Sequence, residues 1–251
     1  MIHVGTSGFV YQHWRGVFYP EDLPAAKWLE YYASHFDCVE INSSFYHLPK
    51  PETIVSWRDR TPRSFRFVLK GSRFVSHRKR LKNCEDSVKV FYERAFLLER
   101  KLAGVLWQLP PKYKKDLAAL EAFLKLLPPQ VPVFLELRHR SWFDQETFDF
   151  LRKHRVTFCV HDLDGVDCPA VVTAPLLYVR FHGPSGRYRG CYPDSKLRSW
   201  AAWIKETGVK RGFVFFNNDV EGHAVRNAQT LRRFLEEAEE KGREKRARVR
   251  S

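Results

Sequence analysis

What most constrains this chain is a recurring pattern. Eight short apolar stretches rich in Val, Leu, Ile and Phe follow one another along 251 residues, with helical segments in most of the gaps. The most informative stretch is 133–139, Val-Phe-Leu-Glu-Leu-Arg-His. Its alternation has the period of a β-strand, with Val133, Leu135 and Leu137 on one face and Phe134, Glu136 and Arg138 on the other. A carboxylate and a guanidinium on one face of a half-buried strand are costly to desolvate, so they need each other or a ligand.

The same reading predicts strands at 2–6, 38–42, 65–70, 105–109, 156–161, 176–182 and 213–217. Helices are expected at 24–36, 51–60, 116–127, 145–154 and 224–240, with Asp116 and Asp144 as N-caps. A long helix is expected over 85–101, its inner stripe running from Val88 to Leu102. Another is capped by Ser195 and ended by Gly208. One gap, after the sixth strand, is irregular. Strands alternating with helices pair in parallel through crossovers, and eight such units in about 250 residues is the size of a (β/α)8 TIM-type barrel. A doubly wound open sheet is the alternative, but no Gly-x-Gly-x-x-Gly is present, so no dinucleotide cofactor is expected. The expected layout is one barrel domain over 1–240 and a basic, frayed tail over 241–251.

Composition narrows the function classes. With 44% hydrophobic residues, 20 Phe, 10 Tyr and 7 Trp, the chain can fill a large core. No run approaches the ~18 apolar residues of a membrane span. No charged-then-apolar signal pattern opens the sequence, so a cytoplasmic protein without a membrane partner is expected. The five cysteines are never spaced Cys-x-x-Cys, which argues against a disulfide framework or a zinc site of the usual spacing. The net charge of +14 is local: residues 58–82 hold ten Lys/Arg against Asp59 alone, and 241–251 hold six against one Glu. A phosphate-bearing or other anionic ligand fits this charge, nucleic acid being the larger form of it, and a solvated charged surface is the plain alternative.

In such barrels the site lies at the C-terminal ends of the strands. The candidates there are Glu40, Glu136 and His182 for catalysis, and Asn42, Lys70, Gln108, Arg138, Arg180, Arg187, Asn217 and Asn218 for substrate binding. Thr6, Asp162 and Asn218 sit at strand exits, where any strand turns polar. Two glutamates suit a glycosidase if ~5–10 Å apart. With Lys70, Arg138 and Arg180 near, they read better as ionised salt-bridge partners than as raised-pKa acids. His161 and His182 suit general bases or metal ligands, although the cations disfavour a divalent metal. After the seventh strand, His182-Gly183-Pro184-Ser185-Gly186-Arg187-Tyr188-Arg189-Gly190 combines glycines with arginines, a pattern that lets backbone N–H groups approach an anion. Rings on the rim, among them Tyr11, Trp14, Phe45, Tyr46 and Tyr188, suit bases or sugars, or simply pack.

The segment Val39-Glu40-Ile41-Asn42-Ser43-Ser44-Phe45-Tyr46 resembles a hallmark of the YecE-like family, the domain of unknown function numbered seventy-two. Further matches are Gly5-Thr6-Ser7-Gly8 with Trp14, Trp57 with Thr61-Pro62, and Phe67-Val68-Leu69-Lys70. Leu106-Trp107-Gln108-Leu109-Pro110-Pro111, Glu136-Leu137-Arg138-His139 with Ser141-Trp142, Val179-Arg180-Phe181-His182-Gly183 and Phe216-Asn217-Asn218-Asp219 complete the set, with Ala224 and Asn227-Ala228. The resemblance implies a TIM-type barrel and adds weight to the strand-end residues as a site, without assigning roles. Three functions are expected: a hydrolase acting on a phosphate-bearing substrate or nucleic acid, a non-catalytic binder of nucleic acid or an anionic metabolite, and a sugar-acting enzyme using Glu40 and Glu136.

Overall fold

The computed structural model describes residues 1–250 apart from Arg187, with side chains described through Ala238. The stretch expected as a frayed tail is helical through Arg250, with its side chains outside the described ones, and Arg187, given an anion-binding part, falls outside the described residues. In chain order the elements are β1 (Ile2–Thr6), α1 (Trp28–His35), β2 (Cys38–Ile41), α2 (Ser43–Tyr46), α3 (Pro51–Asp59), β3 (Arg66–Lys70), α4 (Glu85–Ala95) and β4 (Leu102–Gln108). There follow α5 (Leu117–Leu124), β5 (Val133–Glu136), α6 (Gln145–Lys153), β6 (Thr157–His161), β7 (Leu176–Phe181), α7 (Asp194–Glu206), β8 (Arg211–Phe216) and α8 (His223–Arg250). All sheet pairings are parallel, in the order β1-β8-β7-β6-β5-β4-β3-β2. β1 and β2 meet through a single bridge, Ser7 with Glu40, and the Gly8 amide donates to the Glu40 carbonyl at 2.7 Å. The eight strands thus form a nearly closed barrel.

Alternation along each strand sorts the core into two layers. Cys38, Val68, Leu106, Phe134, Tyr178 and Phe215 pack inside the barrel. Their chain neighbours Val39, Leu69, Trp107, Leu135, Val179 and Val214 face outward, into the core shared with the helices. Full burial of one such side chain contributes ~1.5–3 kcal/mol. Phe134 stacks on Tyr178 at 4.1 Å, plugging the interior below the site. Asp116 and Asp144 cap α5 and α6, accepting from the Ala119 and Thr147 amides at 2.9 Å each.

Several boundaries differ from expectation. The helix expected over 85–101 stops at Ala95, and a 3-10 segment follows in which Glu99 turns to φ 52°. Tertiary ties cause this: Arg58 holds the Glu99 carboxylate at 2.5 Å, and Lys101 donates to the Arg58 and Thr61 carbonyls. Leu102, placed by spacing in the helix stripe, opens β4 instead. Ladder pairing of β5 ends at Glu136 rather than at 139, because the Leu137 carbonyl lies 2.9 Å from the His161 imidazole Nε2. α7 starts one residue before Ser195, with Pro193 at its N-cap. Between β6 and β7 there is no helix. There the Thr173 hydroxyl accepts from the Phe158 amide at 2.8 Å and donates to the Val156 carbonyl.

Candidate active site at the barrel mouth

Two residues beyond the apolar plug, the same inward faces become polar. Cys38 is followed by Glu40, Val68 by Lys70, Leu106 by Gln108, Phe134 by Glu136, Cys159 by His161 and Tyr178 by Arg180. A period of two carries each side chain to the inward face of one cavity. β1 contributes Ser7. Thr6 faces α1, its hydroxyl 2.9 Å from Tyr32.

The lower level of this mouth is sealed. Arg180 is 0% exposed and bridges both glutamates, which are 0% exposed as well. Its Nε and Nη2 donate to Glu40 Oε1 at 3.2 and 2.7 Å, and its Nη1 donates to Glu136 Oε2. Glu40 also accepts from the Ser7 hydroxyl at 2.6 Å and the Tyr178 hydroxyl at 2.5 Å. Glu136 Oε1 accepts from Arg138 Nε at 2.6 Å. Burial opposes ionisation of Glu136, but Arg138 and Arg180 hold its carboxyl well below the usual carboxylate range. Two guanidiniums therefore offset two carboxylates, and Lys70 is the cation left over. An acid–base pair of free glutamates is not what this geometry offers.

Both imidazoles are held neutral. Burial, then Arg180, keeps His182 well below its ordinary value. Its Nδ1 faces the Asn217 amide nitrogen at 3.4 Å, which leaves the proton on Nε2, 3.8 Å from Glu136 Oε1. His161 is lowered by burial, and its ring is used structurally, Nε2 toward the Leu137 carbonyl and Nδ1 accepting from the Leu163 amide at 3.4 Å.

The upper level is reachable. Lys70 is 8% exposed, Asn217 9%, and the Arg138 side chain 10%. Lys70 sits with its ammonium 4.2 Å above the Phe45 ring. Burial, then Arg180, lowers its pKa to about 7, against the pull of Glu136 and Glu40. His77, in the loop after β3, lies 3.5 Å from Gln108 and is lowered to about 4 by burial, Lys70, Arg138 and Arg73. Arg138 Nη2, His182 Nε2, Asn42 Oδ1 and Asn218 Oδ1 are buried without a hydrogen-bond partner. Unpaired buried polar atoms cost ~1–3 kcal/mol each; strand parity turns those of Arg138, His182 and Asn42 toward the mouth, where a ligand would complete them, while Thr147 and His154 carry two more away from it. The other amide arm of Asn218 is structural, donating to the Gly190 carbonyl and to Asn227.

Sequence reasoning put forward Glu40, Lys70, Gln108, Glu136, Arg138, Arg180 and His182, and the structure sets them around one mouth. It passed over Ser7, and it gave no part to Tyr178, whose phenol points inward like Arg180. His77 lies in the stretch 58–82, which it read only as charge. In the loop after β7, the amides of Ser185, Tyr188 and Arg189 already donate to carbonyls within the loop, so these three are not free for an anion. A cleft of about 450 Å³ beside the mouth, between the loops after β3 and β4, is lined by Lys79, Arg80, Lys82, Lys112 and Lys114 around Tyr113. No group of three or more His, Cys, Asp or Glu side chains among the described residues is placed to hold a metal. No helix among them is long and apolar enough to cross a membrane.

Fold and site together define a TIM-type barrel protein with a charged cluster at the C-terminal mouth of its strands. The chain belongs to the family described as protein of unknown function DUF72, whose model matches residues 3–249. It is similar to UPF0759 protein YunF of Bacillus subtilis, with 29% identity over 94% of this chain and 95% of that protein. UPF0759 protein YecE of Escherichia coli is 40% identical over 46% of this chain and 43% of its own length. The crystal structure of a DUF72 family protein from Thermotoga maritima superposes with a TM-score of 0.86 at 32% identity, covering 94% of this chain and 99% of the other. A D-psicose 3-epimerase from Clostridium cellulolyticum, at TM-score 0.54 and 13% identity, shares the barrel fold.

Proposed function

We propose that the barrel mouth is an enzyme active site for a small phosphate-bearing substrate, in a cytoplasmic protein. The observation that carries this is Arg138. Its Nε is anchored on Glu136, while its Nη2 is buried and unpartnered beside an unpaired Lys70. A guanidinium fixed at one end and unpaired at the other presents a rigid donor to an anion. Asn42 and Asn217 complete the rim. Glu40 and Glu136 orient Arg180 and Arg138 in this reading and do not move protons themselves. The group matched to proton transfer near neutral pH is the Lys70 amine.

Titration calorimetry with inorganic phosphate tests the proposal. Wild-type protein binds phosphate, and Arg138→Gln weakens binding about tenfold or more, the ~1.5–3 kcal/mol of a charged hydrogen bond. Equal affinity in the two proteins overturns it.

A further inference from the structure

Lys70 is an unusual amine for a strand end. It is 8% exposed, and among the described residues its Nζ has neither a hydrogen bond nor an ion pair. The charged and titratable groups around it come from every side of the mouth: Glu40 on β2, Glu136 and Arg138 beside each other at the end of β5, Arg180 on β7, and His77 in the loop after β3. A buried ammonium would ordinarily be tied to one of the carboxylates. Here Arg180 holds one Glu136 oxygen and Arg138 the other, and Glu40 is filled by Arg180, Ser7 and Tyr178. The amine is left without a polar partner, resting 4.2 Å from the face of the Phe45 ring.

We infer that Lys70 is a covalent nucleophile that captures the carbonyl of an aldehyde or ketone carrying an anionic group, forming an imine. This deepens the proposed reading by naming the substrate class, and it rests on Arg138 receiving the anion. In the step, the Nζ lone pair attacks the carbonyl carbon and a C–N bond forms. One amine hydrogen passes to the former carbonyl oxygen, giving a carbinolamine. The C–O bond then breaks, the second amine hydrogen leaves with the hydroxyl as water, and C=N remains. No oxidant or reductant is consumed.

The surroundings suit both ends of this step. Attack needs the neutral amine, which burial and the two arginines favour. At pH 7 about half of Lys70 is neutral, against about one in three thousand for an exposed lysine. On taking a proton from solvent the imine becomes a cation, which the Phe45 ring at 4.2 Å and the nearby Glu40 and Glu136 stabilise. Activation of water has less support: the described residues give Nζ no polar partner that would orient a water molecule.

The test is reductive trapping in the wild-type protein. The protein is incubated at pH 7 with glyceraldehyde 3-phosphate and sodium cyanoborohydride, and adducts are mapped by peptide mass spectrometry. Lys70 carries the reduced adduct at least about tenfold more than Lys112 or Lys114. Excess inorganic phosphate suppresses the Lys70 adduct alone. Adducts spread over surface lysines without enrichment at Lys70 overturn the inference, even where phosphate still binds. Propanal, which has no anion, separates the two readings. Enrichment at Lys70 with propanal and with the phosphorylated aldehyde equally, with no phosphate binding, sustains the nucleophile and removes the anion site. Because the readout is in the wild-type chain, it does not depend on a Lys70 variant folding.

Discussion

Arg180 presents two of its donors, Nε and Nη2, to the same oxygen of Glu40, at 3.2 and 2.7 Å. The third, Nη1, goes to Glu136, so one guanidinium spans strands on three sides of the barrel. Removing it strands two buried carboxylates. Arg180→Leu is expected to lose ~3–5 kcal/mol of stability, read by urea denaturation. A loss below about 1 kcal/mol, the worth of an exposed pair, would mean that the charges are solvated.

Tyr178→Phe isolates one contact to Glu40. The ring keeps its 4.1 Å stacking on Phe134, and only the hydroxyl donated to Glu40 Oε2 is lost. The expected cost is ~1.5–3 kcal/mol, the range for hydrogen bonds to charged groups. Combined with Arg180→Leu in a double-mutant cycle, the two losses should be non-additive, because both act on one carboxylate.

Lys70 sets an alkaline limb of stability. Its pKa is about 7 folded and ~10.4 unfolded, so between those values the unfolded chain binds the extra proton. Stability from this group therefore rises with pH across that window, and the full penalty is present below it. Lys70→Met should be a few kcal/mol more stable than wild type at pH 6, at ~1.4 kcal/mol per pKa unit, and the two should converge by pH ~10. Denaturation at pH 6, 8 and 10 measures the gap; a constant gap contradicts the assignment.

Glu136 has the opposite sign. Its folded pKa is depressed, so its contribution is complete above the unfolded value of ~4.3 and is lost as pH falls through the folded one. Glu136→Gln should flatten the acid limb below pH ~4.3 relative to wild type, followed by circular dichroism.

Gly71 follows Lys70 and lies under Trp107. A Cβ there would come within 2.3 Å of Trp107 Cε3, and the indole is boxed in by Phe91 at 5.4 Å and Phe123 at 5.0 Å. Gly71→Ala should cost ~1–3 kcal/mol by overpacking and shift the tryptophan emission. An unchanged melting temperature and spectrum would show that the indole can move aside.

The inward layer of the barrel was readable because its rule is local. Phe134 and Glu136 share a face whatever the rest of the chain does, and so do Tyr178 and Arg180. What strand parity leaves open is height. The register sets Lys70 beside Leu106 and Gln108 beside Glu136, and that stagger follows from barrel closure rather than from either strand alone. Ser7 escaped for a related reason: β1 has residues buried on both faces, so the choice between Thr6 and Ser7 is made by β2 across the seam. The break at Ala95 depends on Arg58 and Lys101 reaching carbonyl and carboxylate partners far away in sequence, which helical spacing does not register.

The seam between β1 and β2 has a mechanical consequence. Most of the ring is laced by ladders of several residues, but here one bridge at Glu40 does the stitching, and the same residue's carboxylate grips β7 from within. Breathing of the barrel at this stitch must drag on Arg180 and, through Glu136, on Arg138. A molecule that stiffens Arg138 would then slow amide exchange at Gly8, on the opposite wall.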